Sequence, residues 1–130
     1  MGMSVAVACP KGYEPDAELM KWASENGDFL CTESVLEAAK DADVLYTDVW
    51  ASMGQEAEAE ARKKIFAGYQ INTAVTDVAK ADVMVMHCLP AHRGEEITDE
   101  VIEAHANEIF DEAENRLHVQ KAVLVKCFDN

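Results

Sequence analysis

Short apolar runs alternate along this chain with stretches that are apolar on one face only. Residues 4–9, Ser-Val-Ala-Val-Ala-Cys, form a continuous run that stops at Pro10-Lys11-Gly12, the pattern of a buried strand and a turn. Pro15 suits a first helical turn, Leu19, Met20 and Ala23 share one face, and Asn26-Gly27 supplies a stop. Phe29-Leu30-Cys31 is a second short strand. Ser34 and Glu37 stand at capping-box spacing, with Thr32 as the other cap candidate, which predicts a helix through residue 40. Residues 44–47 are the next strand. Ser52 and Gln55 repeat the capping spacing and open a helix to about residue 66, its acids first and Arg62-Lys63-Lys64 last, as the helix dipole prefers. Asn72 caps a helix through residue 80, and residues 83–86 form another buried strand. Thr98 caps a short helix, Ile109-Phe110 reads as a last short strand, and a helix follows over 112–127.

Strands alternating with helices predict a three-layer α/β/α domain, Rossmann-like, with a mainly parallel sheet of four or five strands covered on both faces. The 130 residues suffice for one core, so 1–130 is read as a single domain. Such sheets bind ligands beyond the carboxyl ends of their strands. Two strands here end in reactive residues: one at Asp48, the other at His87 and Cys88.

Charge narrows the partners. A net charge of −14 disfavours nucleic acid, because binding phosphates takes clustered Lys and Arg. No apolar run approaches the roughly 20 residues that a membrane helix needs, and no basic region marks a signal peptide. Cys9, Cys31, Cys88 and Cys127 are widely spaced, which suggests free thiols in a cytoplasmic protein.

If the strands ending at Asp48 and Cys88 are neighbours, those two residues face one crevice. The helix starting near Ser52 adds free backbone N–H groups, a seat for a carboxylate. An anion cradle beside a carboxylate suits a zwitterionic amino acid, its α-carboxylate at the helix start and its ammonium at Asp48. Taken singly, Ser52 is an ordinary cap, Asp48 an ordinary turn residue, Cys88 a small buried hydrophobe, and Arg116 and His118 surface charges. A metal site at His87, Cys88 and His92 is disfavoured by their crowding on one loop and the lack of a second ligand pair.

The combination is more specific. Asp48-Val49-Trp50-Ala51-Ser52-Met53-Gly54-Gln55-Glu56, His87-Cys88-Leu89-Pro90-Ala91-His92-Arg93-Gly94-Glu95-Glu96 and Glu112-Ala113-Glu114-Asn115-Arg116-Leu117-His118 occur in this order. Together they resemble the ornithine-binding half of the ornithine carbamoyltransferase family. Aspartate carbamoyltransferase, with the same fold and reaction type, is a poorer match because Ser-Met-Gly is the ornithine-type signature.

The resemblance implies that Asp48 holds the amino groups of ornithine and that Ser52 and Met53 belong to a loop closing on the amino acid. It further implies that Cys88 and the Leu89 carbonyl lie by the reacting amine and carbamoyl group, and that Arg116 polarises the carbamoyl carbonyl. Asp48, Cys88 and Arg116 would be the catalytic residues, and Asp48, Ser52, Met53, Cys88, Leu89 and Arg116 the substrate-binding set. The Leu89-Pro90 bond is cis in that family. No metal or other cofactor is implied.

No Ser-Thr-Arg-Thr phosphate loop and no His-Pro-x-Gln segment is found, so the carbamoyl-phosphate domain is expected to be absent. The strand and helix that form the sheet's centre in the family would be missing too. The chain thus reads as an excised or engineered fragment that binds L-ornithine weakly, meets carbamoyl phosphate only with the missing domain, and is inactive alone. Exposed edges and a terminal helix apolar around much of its circumference predict a homodimer or higher self-association. The alternative is a free-standing amino-acid-binding or self-assembling non-catalytic module.

Overall fold

A computed structural model describes residues 2–51 and 56–128. In chain order the elements are β1 (Val5–Ala8), α1 (Ala17–Asn26), β2 (Phe29–Thr32), α2 (Val35–Ala39), β3 (Val44–Thr47), α3 (Glu56–Phe66), α4 (Thr73–Thr76), β4 (Met84–His87), α5 (Asp99–Ala104) and α6 (Ala106–Phe128). Three expected caps form as the side chains dictate. Ser34 accepts from Glu37 N–H at 3.2 Å, Asn72 from Val75 N–H at 3.2 Å, and Thr98 from Val101 N–H at 3.4 Å. Asp16 caps α1, accepting from Glu18 N–H and Leu19 N–H. The expected cap at Ser52 and Gln55 lies outside the described residues.

All strand pairing is parallel, but the sheet is not the single four- or five-stranded one expected. β1 pairs with β2, β3 pairs with β4, and the two pairs form separate two-stranded sheets. Among the described residues β1 and β3 are each paired along one edge only, and cavities lined by both strands lie between them.

Two further expectations are corrected. Ile109-Phe110 is not a strand but lies in the opening turns of α6. Ile109 is fully buried where α6 packs on β4, while Phe110 is exposed. One buried and one exposed neighbour fit either period, and packing decided for the helix. The helix expected over 72–80 stops after one turn at Thr76. Beyond it the Val78 carbonyl accepts from Asp41 N–H at 2.9 Å, and Lys80 N–H donates to the Ala42 carbonyl at 3.1 Å. Those bonds to the loop after α2 take the place of further helical turns.

The core is lopsided. Leu45, Val83, Val85, Ile97, Val101 and Ile109 are buried around β3, β4, α5 and the start of α6. By contrast α1 buries none of its residues, and its Leu19 and Trp22 are exposed. The second half of α6 is likewise bare, with Leu117, Val123, Leu124 and Phe128 all exposed. Among the described residues no helix is long and apolar enough to cross a membrane.

Candidate functional site

The β3–β4 register assembles the site. Thr47 stands opposite His87, so the next residues, Asp48 and Cys88, leave the sheet together at its carboxyl end. Burial raises the Cys88 thiol above its ordinary value, a hydrogen bond to the Asp48 carboxylate raises it further, and the Tyr46 hydroxyl pulls it part of the way back. Burial also pushes the Tyr46 phenol up, with the Cys88 thiol as the next cause and the charges of Glu112 and Asp48 behind it. A thiol raised above its ordinary value is protonated at neutral pH.

The loop after β4 is held from beneath by two wholly buried residues, His87 and Glu96. Leu89 N–H donates to His87 Nδ1 at 2.9 Å, which leaves the ring proton on Nε2, 3.1 Å from Glu96 Oε1. The same carboxylate oxygen accepts from His92 N–H at 2.6 Å. Leu89 has a φ of 53°, and the Leu89-Pro90 peptide bond is cis, as the resemblance implied. Gln70 Nε2 ties the far side of the loop to the carbonyls of Gly94 at 2.9 Å and Glu95 at 2.7 Å. Together these bonds fix where the Cys88 and Leu89 backbone lies.

Beside Asp48, between the carboxyl ends of β1 and β3, opens a cavity of about 340 Å³, lined among others by Ala8, Thr47, Trp50 and Arg62. Its aromatic wall is ordered by Trp50 stacked on Phe66 at 6.1 Å and by Tyr69 edge-on to Phe66 at 5.8 Å. Arg62 Nη1 donates to the Trp50 carbonyl at 3.2 Å, and its guanidinium stands 5.8 Å from the Tyr13 ring centroid. A cation, a carboxylate and an apolar wall around this volume can hold a small zwitterion.

Of the residues singled out from the sequence, Asp48, Cys88 and Leu89 are brought together. Ser52 and Met53 lie outside the described residues. Arg116 stands apart: it is exposed on α6, one turn beyond Glu112, and among the described residues it makes no hydrogen bond or ion pair. His87 is engaged with Glu96. Among the described residues, the group whose geometry could hold a metal is instead His92, Glu95 and Glu96, whose ligating atoms lie within 4.8 Å of one another. Two of its members are already engaged, Glu95 with Lys63 at 2.9 Å and Glu96 with His87. Tyr46, Glu96 and Arg62 are contributors that the sequence reading passed over. Tyr46 was within reach of it, since it lies two residues before Asp48 and so on the same face of the strand.

A parallel α/β domain with reactive residues at the carboxyl ends of adjacent strands belongs to the class that binds small molecules at a break in strand order. The chain belongs to the aspartate/ornithine carbamoyltransferase family, whose Asp/Orn binding domain matches residues 1–127. It is 58% identical over 129 residues to the ornithine carbamoyltransferase of Pyrococcus horikoshii, an alignment covering 95% of this chain and 41% of that protein. It is 60% identical over 127 residues to that of Methanosarcina acetivorans, covering 97% and 42%. The solved structure of ornithine carbamoyltransferase from Pyrococcus furiosus superposes with a TM-score of 0.83 at 56% identity, covering 95% of this chain and 41% of that one. The anabolic enzyme from Campylobacter jejuni gives 0.89 at 41% identity, covering 98% and 43%. The chain therefore spans about two-fifths of the length of the relatives it matches.

One prediction follows from the thiol's surroundings. Alkylation of Cys88 by iodoacetamide, followed residue by residue with mass spectrometry, should rise with pH to a midpoint above the ordinary thiol value of 9.0. Asp48→Asn removes a carboxylate that raises the thiol, so its profile should move to lower pH. A Cys88 that reacts readily at neutral pH, at a rate indifferent to Asp48, contradicts the arrangement.

Proposed function

We propose that this chain is the L-ornithine-binding part of an ornithine carbamoyltransferase. The observation that carries the reading is the β3–β4 register, which brings Asp48, a lining residue of a polar and aromatic cavity, to the same sheet end as Cys88. In this reading Asp48 holds the ammonium of ornithine, and the Cys88 thiol fixes the carboxylate's orientation by hydrogen bonding to it. The Leu89 carbonyl, positioned through His87 and Glu96, lies near the amine that reacts. Ser52 and Met53, outside the described residues, are assigned to ornithine binding by the resemblance alone.

In the whole enzyme the neutral side-chain amine attacks the carbonyl carbon of carbamoyl phosphate. A C–N bond forms, the C–O bond to phosphate breaks, and the amine loses a proton, giving citrulline and phosphate. Arg116 would polarise the carbonyl, stabilising charge that develops on its oxygen. Proximity of the two bound substrates would supply much of the rate. Binding the leaving phosphate takes cationic and N–H donors, and this chain carries no recognisable phosphate loop. The domain is accordingly a partial one that works with a carbamoyl-phosphate domain on a further polypeptide segment, in arginine biosynthesis in the cytoplasm.

Calorimetry with L-ornithine should show weak, saturable binding, with a Kd on the order of millimolar. Asp48→Ala should weaken it about tenfold or more, and N-acetyl-L-ornithine, whose α-amine is masked, should bind less well. The chain alone should make no detectable citrulline from ornithine and carbamoyl phosphate. Binding that is indifferent to Asp48, or turnover by the chain alone, contradicts the reading.

The exposed face of α6 belongs to the same proposal. Leu117 is 53% exposed, Leu124 57% and Phe128 82%, more than a solvated helix face usually carries. Burying that stripe against a second copy favours a homodimer. Light scattering should give a mass that rises with concentration towards two chains or more. A strictly monomeric mass at high micromolar concentration contradicts self-association.

A further inference from the structure

The carboxyl end of the β1–β2 pair gathers side chains that the amino-acid site does not use. Cys9 N–H donates to the Thr32 carbonyl at 3.1 Å, just as Val5 N–H donates to the Asp28 carbonyl at 2.9 Å. The ladder therefore runs one residue past β1 and sets Cys9 opposite Glu33, while Val7 stands opposite Cys31. Partners in register, and residues two apart along one strand, turn their side chains to the same face. Cys9, Cys31 and Glu33 thus share one face of this sheet. The two sulfurs stand 3.9 Å apart, with Cys9 buried and Cys31 half-buried. Burial pushes the Cys9 thiol up to about 11, the Cys31 thiol is the next cause, and the charges of Glu14 and Glu33 follow.

The register decides what these two thiols can do together. Cys9 and Cys31 are diagonal neighbours. A strand spacing of about 4.8 Å and a rise of about 3.3 Å per residue put diagonal Cα atoms roughly 8 Å apart. Beyond about 7 Å two cysteines cannot be bridged without moving the backbone, so a direct S–S bond would disturb the ladder. A bridging ion does not. Two thiolates on a tetrahedral ion with bonds of about 2.3 Å stand about 3.8 Å from each other, close to the separation found here. Thiolates beside two carboxylates repel one another, and a cation among them removes that repulsion.

We propose that Cys9 and Cys31 are two ligands of a site for one thiophilic divalent cation, with zinc(II) as its representative and the Glu33 carboxylate as third ligand. Glu14 is placed to supply the fourth, since only its Oε2 is engaged, accepting from Gly12 N–H at 2.8 Å. Glu14 and Glu33 are exposed, so rotation of their side chains brings the carboxylates to the ion. On binding, each thiol loses its proton to solvent and no electron is transferred. Two sulfurs select against magnesium and calcium, which take oxygen ligands. The ion ties the end of β1 to β2, a pair against which α1 buries none of its own residues. It also anchors the turn after β1, where Tyr13 N–H donates to the Pro10 carbonyl at 3.0 Å and the Tyr13 ring meets Phe66 edge-on at 4.9 Å. None of the ligands belongs to the motifs that carry the family resemblance. The site stands or falls without the amino-acid site.

The test takes the 15N-labelled chain, reduced with a phosphine and freed of metal by chelation. It is titrated with cadmium(II), whose thiolate complexes absorb in the ultraviolet, and with zinc(II) in competition with a chromophoric chelator. One equivalent should bind, and the amides of Cys9, Cys31 and Glu33 should shift with it. Cys31→Ser should weaken binding about tenfold or more and leave the chain folded, because that side chain is only half-buried. Cys9→Ser should weaken it as much, and Glu33→Gln less. Saturating zinc(II) should raise the melting temperature of the unmutated chain and not that of Cys31→Ser. Magnesium(II) should cause none of these changes. Four results would overturn the site: binding unchanged by Cys31→Ser; shifts centred on His87 and Cys88, or on His92 and Glu95; an equal response to magnesium(II); or no saturation by either thiophilic ion.

Discussion

The pairing of His87 with Glu96 beneath the loop after β4 is the constraint on which the site rests. Both side chains are withdrawn from water. A buried carboxylate without hydrogen-bond donors is costly, and Glu96 Oε1 finds two, in His87 Nε2 and the His92 amide. The histidine passes the constraint on through Nδ1 to the Leu89 amide, directly after Cys88. The pair spans nine residues of chain and therefore closes the loop across its base. With the loop closed, the β3–β4 register does the rest: it brings Asp48 and Cys88 out of the sheet side by side, burial and the Asp48 carboxylate raise the thiol above its ordinary value, and Tyr46 joins from the same strand face.

The distribution of packing matches this division of labour. The buried residues collect around β3, β4, α5 and the opening of α6, the elements that carry the reactive loop. The β1–β2 pair packs on α2, yet with α1 it shows much apolar surface, as does the outer half of α6. A family whose members are more than twice this length can distribute the cover for such surfaces over chain that lies beyond the matched segment. The cavities between β1 and β3, the bare helix face and the half-furnished cavity are then one observation seen in three places. Each is a surface whose complement the described residues do not supply.

Much of this was legible in the sequence, for local reasons. Ser34, Asn72 and Thr98 cap helices because a short side-chain oxygen ahead of an apolar period has few better uses. Asp48 and Cys88 could be placed together because both end apolar runs and parallel strands share a direction. What escaped was non-local. Ile109-Phe110 read as a strand because two residues cannot distinguish the two periods, and contact with β4 decided for the helix. The helix after Asn72 stops early because the backbone at Val78 and Lys80 bonds to the loop after α2, which no local pattern announces. The split sheet was hidden for the same reason, since a strand's apolar run does not say which strand lies beside it. Glu96 was passed over because an acid in an acidic chain is unremarkable until its burial is seen.

The claim that a buried histidine–glutamate pair sets the loop is tested most directly at the histidine itself. In the 15N-labelled chain, the ring nitrogens of His87 should report Nδ1 unprotonated and accepting from the Leu89 amide, with the proton on Nε2 facing Glu96. Glu96→Gln should perturb the Nε2 resonance and the Leu89 and His92 amides together. A His87 ring protonated at Nδ1, or averaging between tautomers as free imidazole does, would contradict the account.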